Sequence, residues 1–327
     1  MVKSVDTLVS GTSDRKVVQV RVLFWAQSIP DIRLKTFNII SGMLFYAQFL
    51  KKKLSLPREV KKSLLLKSKT MAVPSVLFKL LYWYINTVDK KKEIIFMNYG
   101  YHDIEESIEL HSNDEVNRYS IQLYHRLAKM VEIKDKDIVE VGSGRGGGLA
   151  YITKRFKPAT ALGIDLDSKA AKFGNKQYNL QGLRFKHGDA QDLDLADESV
   201  DIIFNVESSH RYPKMELFLN SVYSALKPGG HFLYTDFRLK NEMPILTHQL
   251  SKYNYIKFDE QFINEQVKLA LEIDSARRVA LVKKFVPFFL QKYINDFAGS
   301  LGSPTYKHIE NGEMVYFVFC FQKPLKG

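Results

Sequence analysis

Residues 138–148 read Ile138-Val139-Glu140-Val141-Gly142-Ser143-Gly144-Arg145-Gly146-Gly147-Gly148, and Ala161-Leu162-Gly163-Ile164-Asp165-Leu166-Asp167 follows. A short apolar run enters a turn with almost no side chains, and an acid, Asp165, ends the next apolar run. Only glycine lets backbone amides approach a ligand this closely while tolerating unusual dihedrals. An acid about 20 residues downstream, at a strand end, is placed to accept both hydroxyls of a ribose. The pair predicts a site for an adenosine-type cofactor.

Around this pair, strands alternate with helices. The pattern predicts strands at 138–141, 160–164, 183–186, 199–206 and 231–237, with helices at 148–156, 168–179 and 214–226. Lys227-Pro228-Gly229-Gly230 reads as a helix end and turn. Such alternation implies a parallel sheet covered on both faces. Residues 118–131 have helical spacing and lead into the glycine strand, while 96–103 read as a loop. From 238 to about 299 the pattern reads as helical and mixed, without clear strands. Met314-Val315-Tyr316-Phe317-Val318-Phe319-Cys320-Phe321-Gln322 is a strong terminal strand, and Glu310-Asn311-Gly312-Glu313 before it points to a hairpin closing the sheet.

The chain has 327 residues, enough to bury a sizeable core. Its single cysteine, Cys320, rules out an internal disulfide framework and suits a cytoplasmic setting. The net charge of +12 is unevenly placed. Residues 51–69 carry Lys51, Lys52, Lys53, Arg58, Lys61, Lys62, Lys67 and Lys69 against one acid, Glu59. With apolar stretches at 37–50 and 76–85 on either side, this run suits an anionic membrane surface or a solvated linker better than nucleic acid. Neither stretch is long enough to span a bilayer, and the start lacks the layout of a secretory signal. We therefore expect a basic, apolar extension over 1–79, partly disordered or membrane-associated, ahead of a domain over 80–327.

Gly142, Gly144 and Gly147 would also suit a nicotinamide dinucleotide, but three features argue otherwise. Glu140 would welcome a cationic amino-acid moiety and repel a pyrophosphate. His187-Gly188-Asp189-Ala190 ends the third strand, where an acid can reach an adenine amine. Lys227-Pro228-Gly229-Gly230 precedes the fifth strand. In this order these motifs resemble those of class I S-adenosylmethionine-dependent methyltransferases, over roughly 137–237. The resemblance implies a Rossmann-like, doubly wound, mostly parallel seven-stranded sheet with an antiparallel terminal strand. It also implies that Glu140, Gly142, Ser143, Gly144 and Gly146 cradle the methionine part of S-adenosyl-L-methionine. Asp165 would hold the ribose, Asp189 and Ala190 would flank the adenine, and Asn205 would complete the set.

Further segments, Phe96-Met97-Asn98-Tyr99-Gly100-Tyr101, Ile121 to Arg126, Asn205 to Pro213 and Thr235-Asp236-Phe237-Arg238, are similar to the phthiotriol/phenolphthiotriol dimycocerosates methyltransferases, which O-methylate a lipid hydroxyl. That likeness covers about 80–324. It implies that a loop at 98–101 closes over the cofactor, with Tyr101 as a contact, although Gly-Tyr-Trp of the family is Gly100-Tyr101-His102 here.

Methyl transfer to a hydroxyl needs an in-line approach and a base. His210 lies just past the fourth strand, and Asp236 ends the fifth, on the edge where ligands of such sheets bind. Together they suit a general base and its orienting acid, with Glu207 as a substitute. Arg145 and Tyr124 are weaker guesses for cofactor or substrate contact. The histidines show no ligand spacing, so no metal is expected. The insertion over 239–300, with Phe258, Phe262 and Phe285 to Leu290, reads as an apolar lid over a lipid or polyketide-like hydroxyl substrate. Alternatives are methylation at carbon of a sterol, prenyl or quinone substrate, and a non-catalytic cofactor-binding scaffold.

Overall fold

The switch in strand order places the site. In the computed structural model, which describes Asp89 and residues 92–327, strands β1 (Asp137–Val141), β2 (Thr160–Asp165) and β3 (Leu183–His187) step outward in one direction. Strands β4 (Val200–Val206) and β5 (Leu226–Leu239) step in the other. β1 pairs in parallel with both β2 and β4, so the order reverses between β1 and β4. Ligands of open α/β sheets bind outside the C-terminal strand ends at that point. β7 (Met314–Gln322) is antiparallel to β5, and β6 (Ile256–Phe262) is antiparallel to β7, giving the order β3-β2-β1-β4-β5-β7-β6. All described residues fall within one unit of the chain, Trp83–Gly327. The expectations for 1–79 and for 76–85 lie outside the described residues.

The helices are α1 (Arg118–Ala128), α2 (Gly147–Phe156), α3 (Ser168–Gln177), α4 (Met215–Ala225), α5 (Met243–Leu250), α6 (Asn264–Phe285), α7 (Phe288–Phe297) and α8 (Pro304–Glu310). Period-two alternation along the strands sorts side chains into two cores. Ile138, Ile202, Phe204 and Val318 point to a core shared with Leu123 and Leu127 of α1, Leu149 of α2 and Leu271 of α6. Val139, Val141, Ile203 and Phe317 point to the opposite core, shared with Phe218, Leu219 and Val222 of α4 and Leu246 of α5. Each of those fully buried α4 side chains contributes about 2 kcal/mol. The same alternation decides the orientation of Glu140. It follows Ile138 by two residues and so points into the first core, beneath α1 and α2.

Three expectations are corrected. The segment 238–299 is not purely helical, because it holds β6, the seventh strand. β6 is an edge strand with one neighbour, and a register shift between Lys257 and Asp259 breaks its period. Its Phe258 and Phe262 are 61% and 60% exposed, so they do not roof an enclosed pocket. Asn311 and Gly312 do not form a hairpin. They end α8 and lead into β7, whose partners are β5 and β6. Lys227-Pro228-Gly229-Gly230 lies within β5. Leu226 already pairs with Val200, and the register then shifts. Gly229, at φ 78°, takes the kink, and its amide donates to the Lys323 carbonyl at 2.8 Å.

Candidate active site

The glycine turn hangs from the end of β2. The amides of Gly142 and Ser143 both donate to the Ile164 carbonyl, at 2.8 and 3.1 Å, and the Gly144 amide donates to Asp165 Oδ2 at 2.7 Å. Gly142 has φ 77°, and Gly144 and Gly146 are left-handed too. Space is as decisive as backbone at two positions. A Cβ on Gly142 would strike the Ser208 hydroxyl, and a Cβ on Gly148, the first full turn of α2, would run into the Tyr124 ring. The start of α2 is therefore free of side chains of its own, and a helix N-terminus suits a polar ligand.

Asp165 receives backbone amides on both oxygens, from Gly144 and, at 2.8 Å, from Asp167. Burial pushes its pKa up, and the two amides pull it back. Asp189 is exposed and accepts from the Gln191 amide at 2.9 Å, while neighbouring Ala190 is buried. Glu140 is completely buried and accepts a 2.7 Å bond from the Tyr124 hydroxyl. Desolvation pushes its pKa up to about 8, against the pull of that bond.

Three buried polar atoms near the turn lack a hydrogen-bond partner among the described residues: Glu140 Oε2, Ser143 Oγ and Asn205 Oδ1. Buried polar groups are nearly always paired. All three atoms can accept a hydrogen bond, and a cationic group beside Glu140 would favour its ionised form, which suits a ligand bearing an ammonium group. The chemistry of the set fits S-adenosyl-L-methionine. Asn205 Nδ2 is already committed to the Val141 carbonyl, at 2.9 Å, and to Ser208 Oγ, at 2.8 Å.

A strap over residues 92–103 crosses the turn. Its start is fixed by a fully buried ion pair, Arg145 Nη1 to Asp89 Oδ2 at 2.6 Å, and Arg145 also donates to the Ile94 carbonyl. The Arg145 guanidinium lies 3.9 Å over the Phe173 ring. Arg145 and Tyr124 are thus held by the protein's own groups. Tyr101 is buried, with its amide on the Tyr119 carbonyl and its hydroxyl on Asp103, and burial pushes its pKa up to about 12.

On the other side of the crevice, β4 runs into Glu207 at φ 44° and a 3-10 turn, Ser209–Arg211. His210 Nδ1 lies 2.7 Å from Asp236 Oδ1 of β5. Asp236 has no solvent exposure and also accepts from Ser209 Oγ at 2.6 Å, the His210 amide at 3.0 Å and the Phe237 amide at 2.9 Å. Arg238 Nη1 adds an ion pair at 3.2 Å. These partners outweigh desolvation and hold the Asp236 carboxyl well below its ordinary range. Burial lowers the His210 pKa, against the pull of Asp236. The imidazole stacks on Phe237 at 4.3 Å, and its side chain is 16% exposed.

Glu207 Oε1 accepts from the Tyr99 amide at 2.7 Å and from the Tyr316 hydroxyl. Burial raises its pKa to about 8. The structure thus gathers Glu207, His210 and Asp236 on one rim and the glycine turn with Asp165 beside it. Sequence reasoning missed Tyr99, Ser208, Tyr212, Tyr316, Arg238 and Arg278, which tie the two halves together. Tyr99, Ser208, Tyr212 and Arg238 lie within the segments that carry the family resemblance, whereas Tyr316 and Arg278 have no such signal. Among the described residues no group of three or more His, Cys, Asp or Glu side chains is placed to hold a metal ion.

A family model described as a methyltransferase domain matches residues 139–234. The chain is 37% identical over 247 residues to the fatty-acid O-methyltransferase of Mycolicibacterium smegmatis, covering 75% of this chain and 89% of that one. It is 37% identical over 232 residues to the phthiotriol/phenolphthiotriol dimycocerosates methyltransferase of Mycobacterium tuberculosis, covering 71% and 86%. In fold it is similar to the geranyl diphosphate C-methyltransferase of Streptomyces coelicolor, solved with S-adenosyl-L-homocysteine, with a TM-score of 0.53 and 15% identity over 74% of this chain and 96% of that one. The glycine turn, the strand order and these relatives agree: the chain belongs to the class I S-adenosylmethionine-dependent methyltransferases.

Proposed function

We propose that this enzyme methylates a hydroxyl oxygen on a lipid or polyketide-like acceptor, with His210 as general base and Asp236 as its orienting acid. When bound, the cofactor supplies an electrophilic methyl group on a sulfonium. For a hydroxyl acceptor, a side chain of this enzyme would have to take the proton that the oxygen gives up. The observation that carries the reading is the 2.7 Å contact between His210 Nδ1 and Asp236 Oδ1. An ionised Asp236 accepts the Nδ1 proton, which leaves the Nε2 lone pair as the acceptor for a substrate proton. The lowered His210 pKa keeps the ring neutral and ready at neutral pH. Glu207 fits the base role less well, because a carboxyl raised to about 8 is mostly protonated near neutrality.

The cofactor set proposed is Glu140, Gly142, Ser143, Gly144, Gly146, Asp165, Asp189, Ala190, Asn205 and Tyr101. Glu140 acts from beneath the turn, through its unpaired oxygen. A lipid acceptor is supported by the names of both relatives. Peripheral contact with a membrane would serve such an acceptor. No described helix is long and apolar enough to cross one.

The fatty-acid relative favours one second reading, a carboxylate acceptor. A carboxylate carries no proton to remove, so it would make His210 dispensable. Alanine at His210 separates the two: the proposal expects cofactor binding to persist and turnover to fall by about 100-fold or more, whereas unchanged turnover would favour the carboxylate.

A further inference from the structure

Arg278 is a charged residue from α6, buried where it reaches two other segments of the described chain. Only 9% of it is exposed. Its Nη2 donates to the carbonyls of Asn98, at 3.1 Å, and Tyr99, at 2.9 Å, and its Nη1 reaches the Ala298 carbonyl at 3.3 Å. Asp274, one helical turn earlier, pairs with its Nε at 3.0 Å. A guanidinium presents a rigid fork of donors, so one side chain can fix two successive carbonyls and a third element together.

What Arg278 fixes is next to the chemistry. The Tyr99 amide binds Glu207 Oε1, and the Tyr99 hydroxyl donates to the Phe297 carbonyl of α7 at 3.0 Å. The Tyr99 ring stacks on Phe237 at 5.3 Å, and Phe237 in turn stacks on His210 at 4.3 Å. We propose that Arg278 is a positioning residue for methyl transfer, holding the strap so that the Tyr99 ring, through Phe237, keeps the His210 imidazole covered and oriented. The proposal rests on the base role of His210 given above. The Asp236 bond fixes one edge of the ring, and the stack fixes its face. The charged groups acting on His210 are Asp236 and Arg238 from β5 and Arg211 from its own turn. Tyr99 and Phe237 bring no charge, so loosening them acts by letting water reach the ring.

The test compares Arg278→Lys and Phe237→Leu in the full chain. Lysine keeps the charge beside Asp274, which Arg277 also holds with two 2.6 Å bonds, but it cannot fork to both carbonyls. The His210 ring signal, identified by its loss in His210→Ala, is titrated by NMR alongside turnover and cofactor affinity. Both variants are expected to raise the His210 titration midpoint by about half a unit and to cut turnover about tenfold, with cofactor affinity within about twofold of the parent. A lowered melting temperature with an unchanged His210 titration and unchanged turnover would make Arg278 merely structural and overturn the proposal. If Arg278→Lys does not fold, Phe237→Leu decides by the same readout. Undiminished turnover in His210→Ala would remove the base role, while the titration would still report whether the strap positions the ring.

Discussion

His210 and Asp236 meet across the end of the sheet, from the turn after β4 and from β5 three residues short of its end, through a 2.7 Å bond between Nδ1 and Oδ1. The link is double, because Asp236 also accepts from the His210 backbone amide at 3.0 Å. The turn and the ring are thus locked to one carboxylate. Replacing His210 with alanine should leave S-adenosylmethionine affinity within about twofold and lower turnover by about 100-fold or more. Replacing Asp236 with asparagine should do further damage. It uncouples buried Arg238 and should cost about 3 kcal/mol of stability in a urea titration.

The pH profile follows from the direction of the shifts. His210 must be neutral to accept a proton, and its pKa is lowered by burial. Turnover should therefore persist below the pH at which an ordinary imidazole protonates, and the acid limb should vanish in His210→Ala. An acid limb at the ordinary imidazole position would contradict the burial argument.

Glu140 sets a separate dependence, in stability. Its pKa is raised from 4.5 to about 8, so its favourable contribution is full below the unfolded value and is lost as pH rises through the folded one. Glu140→Gln should therefore be more stable than the parent, relative to their difference near pH 5, when both are unfolded near pH 8. Cofactor should narrow that gap, since a bound ammonium would compensate the ionised carboxylate. Equal pH slopes in the two proteins would show that Glu140 ionises freely.

Glutamine and alanine at position 207 should behave differently. Glutamine keeps an oxygen for the Tyr99 amide and the Tyr316 hydroxyl, so turnover should stay within about threefold of the parent. Alanine abandons both donors and should cost about 1–3 kcal/mol. Loss of turnover in Glu207→Gln without loss of stability would transfer the base role from His210 to Glu207.

The extra glycines of the turn answer to packing. Gly148→Ala would push the Tyr124 ring off its bond to Glu140. A loss of about 1–3 kcal/mol of stability is expected, together with weaker cofactor binding by calorimetry. Gly302→Ala is the control. It has a left-handed φ of 77° but open space around it, so it should cost about 1–2 kcal/mol in backbone strain and leave cofactor binding alone.

What was legible in the sequence was local. The glycine turn, Asp165 and the alternating strands announce themselves through backbone demands and period, and β7 is readable because Met314 to Phe321 is continuously apolar. β6 was not readable, because an edge strand with Lys257, Asp259 and Glu260 along a bulged ladder has no clean period. Asn311-Gly312 is a hairpin signal only when strands flank it, and here α8 precedes it. Glu140 reads from sequence as a carboxylate for a cationic moiety, and strand alternation adds that it lies in the core beneath the turn. The partners that organise the site lie far apart in the chain. Arg145 finds Asp89, Glu207 finds Tyr99 and Tyr316, and Arg278 finds Asn98 and Tyr99. No sequence pattern encodes those pairings, since each depends on where the strap and α6 come to lie.

The most direct test of the central claim is to incubate the enzyme with methyl-labelled S-adenosylmethionine and a lipid extract, and to locate the label by mass spectrometry. The account predicts a new methyl ether, formed on a lipid hydroxyl and lost in His210→Ala. Label found only on carbon, or only as a methyl ester that His210→Ala still forms, would contradict it.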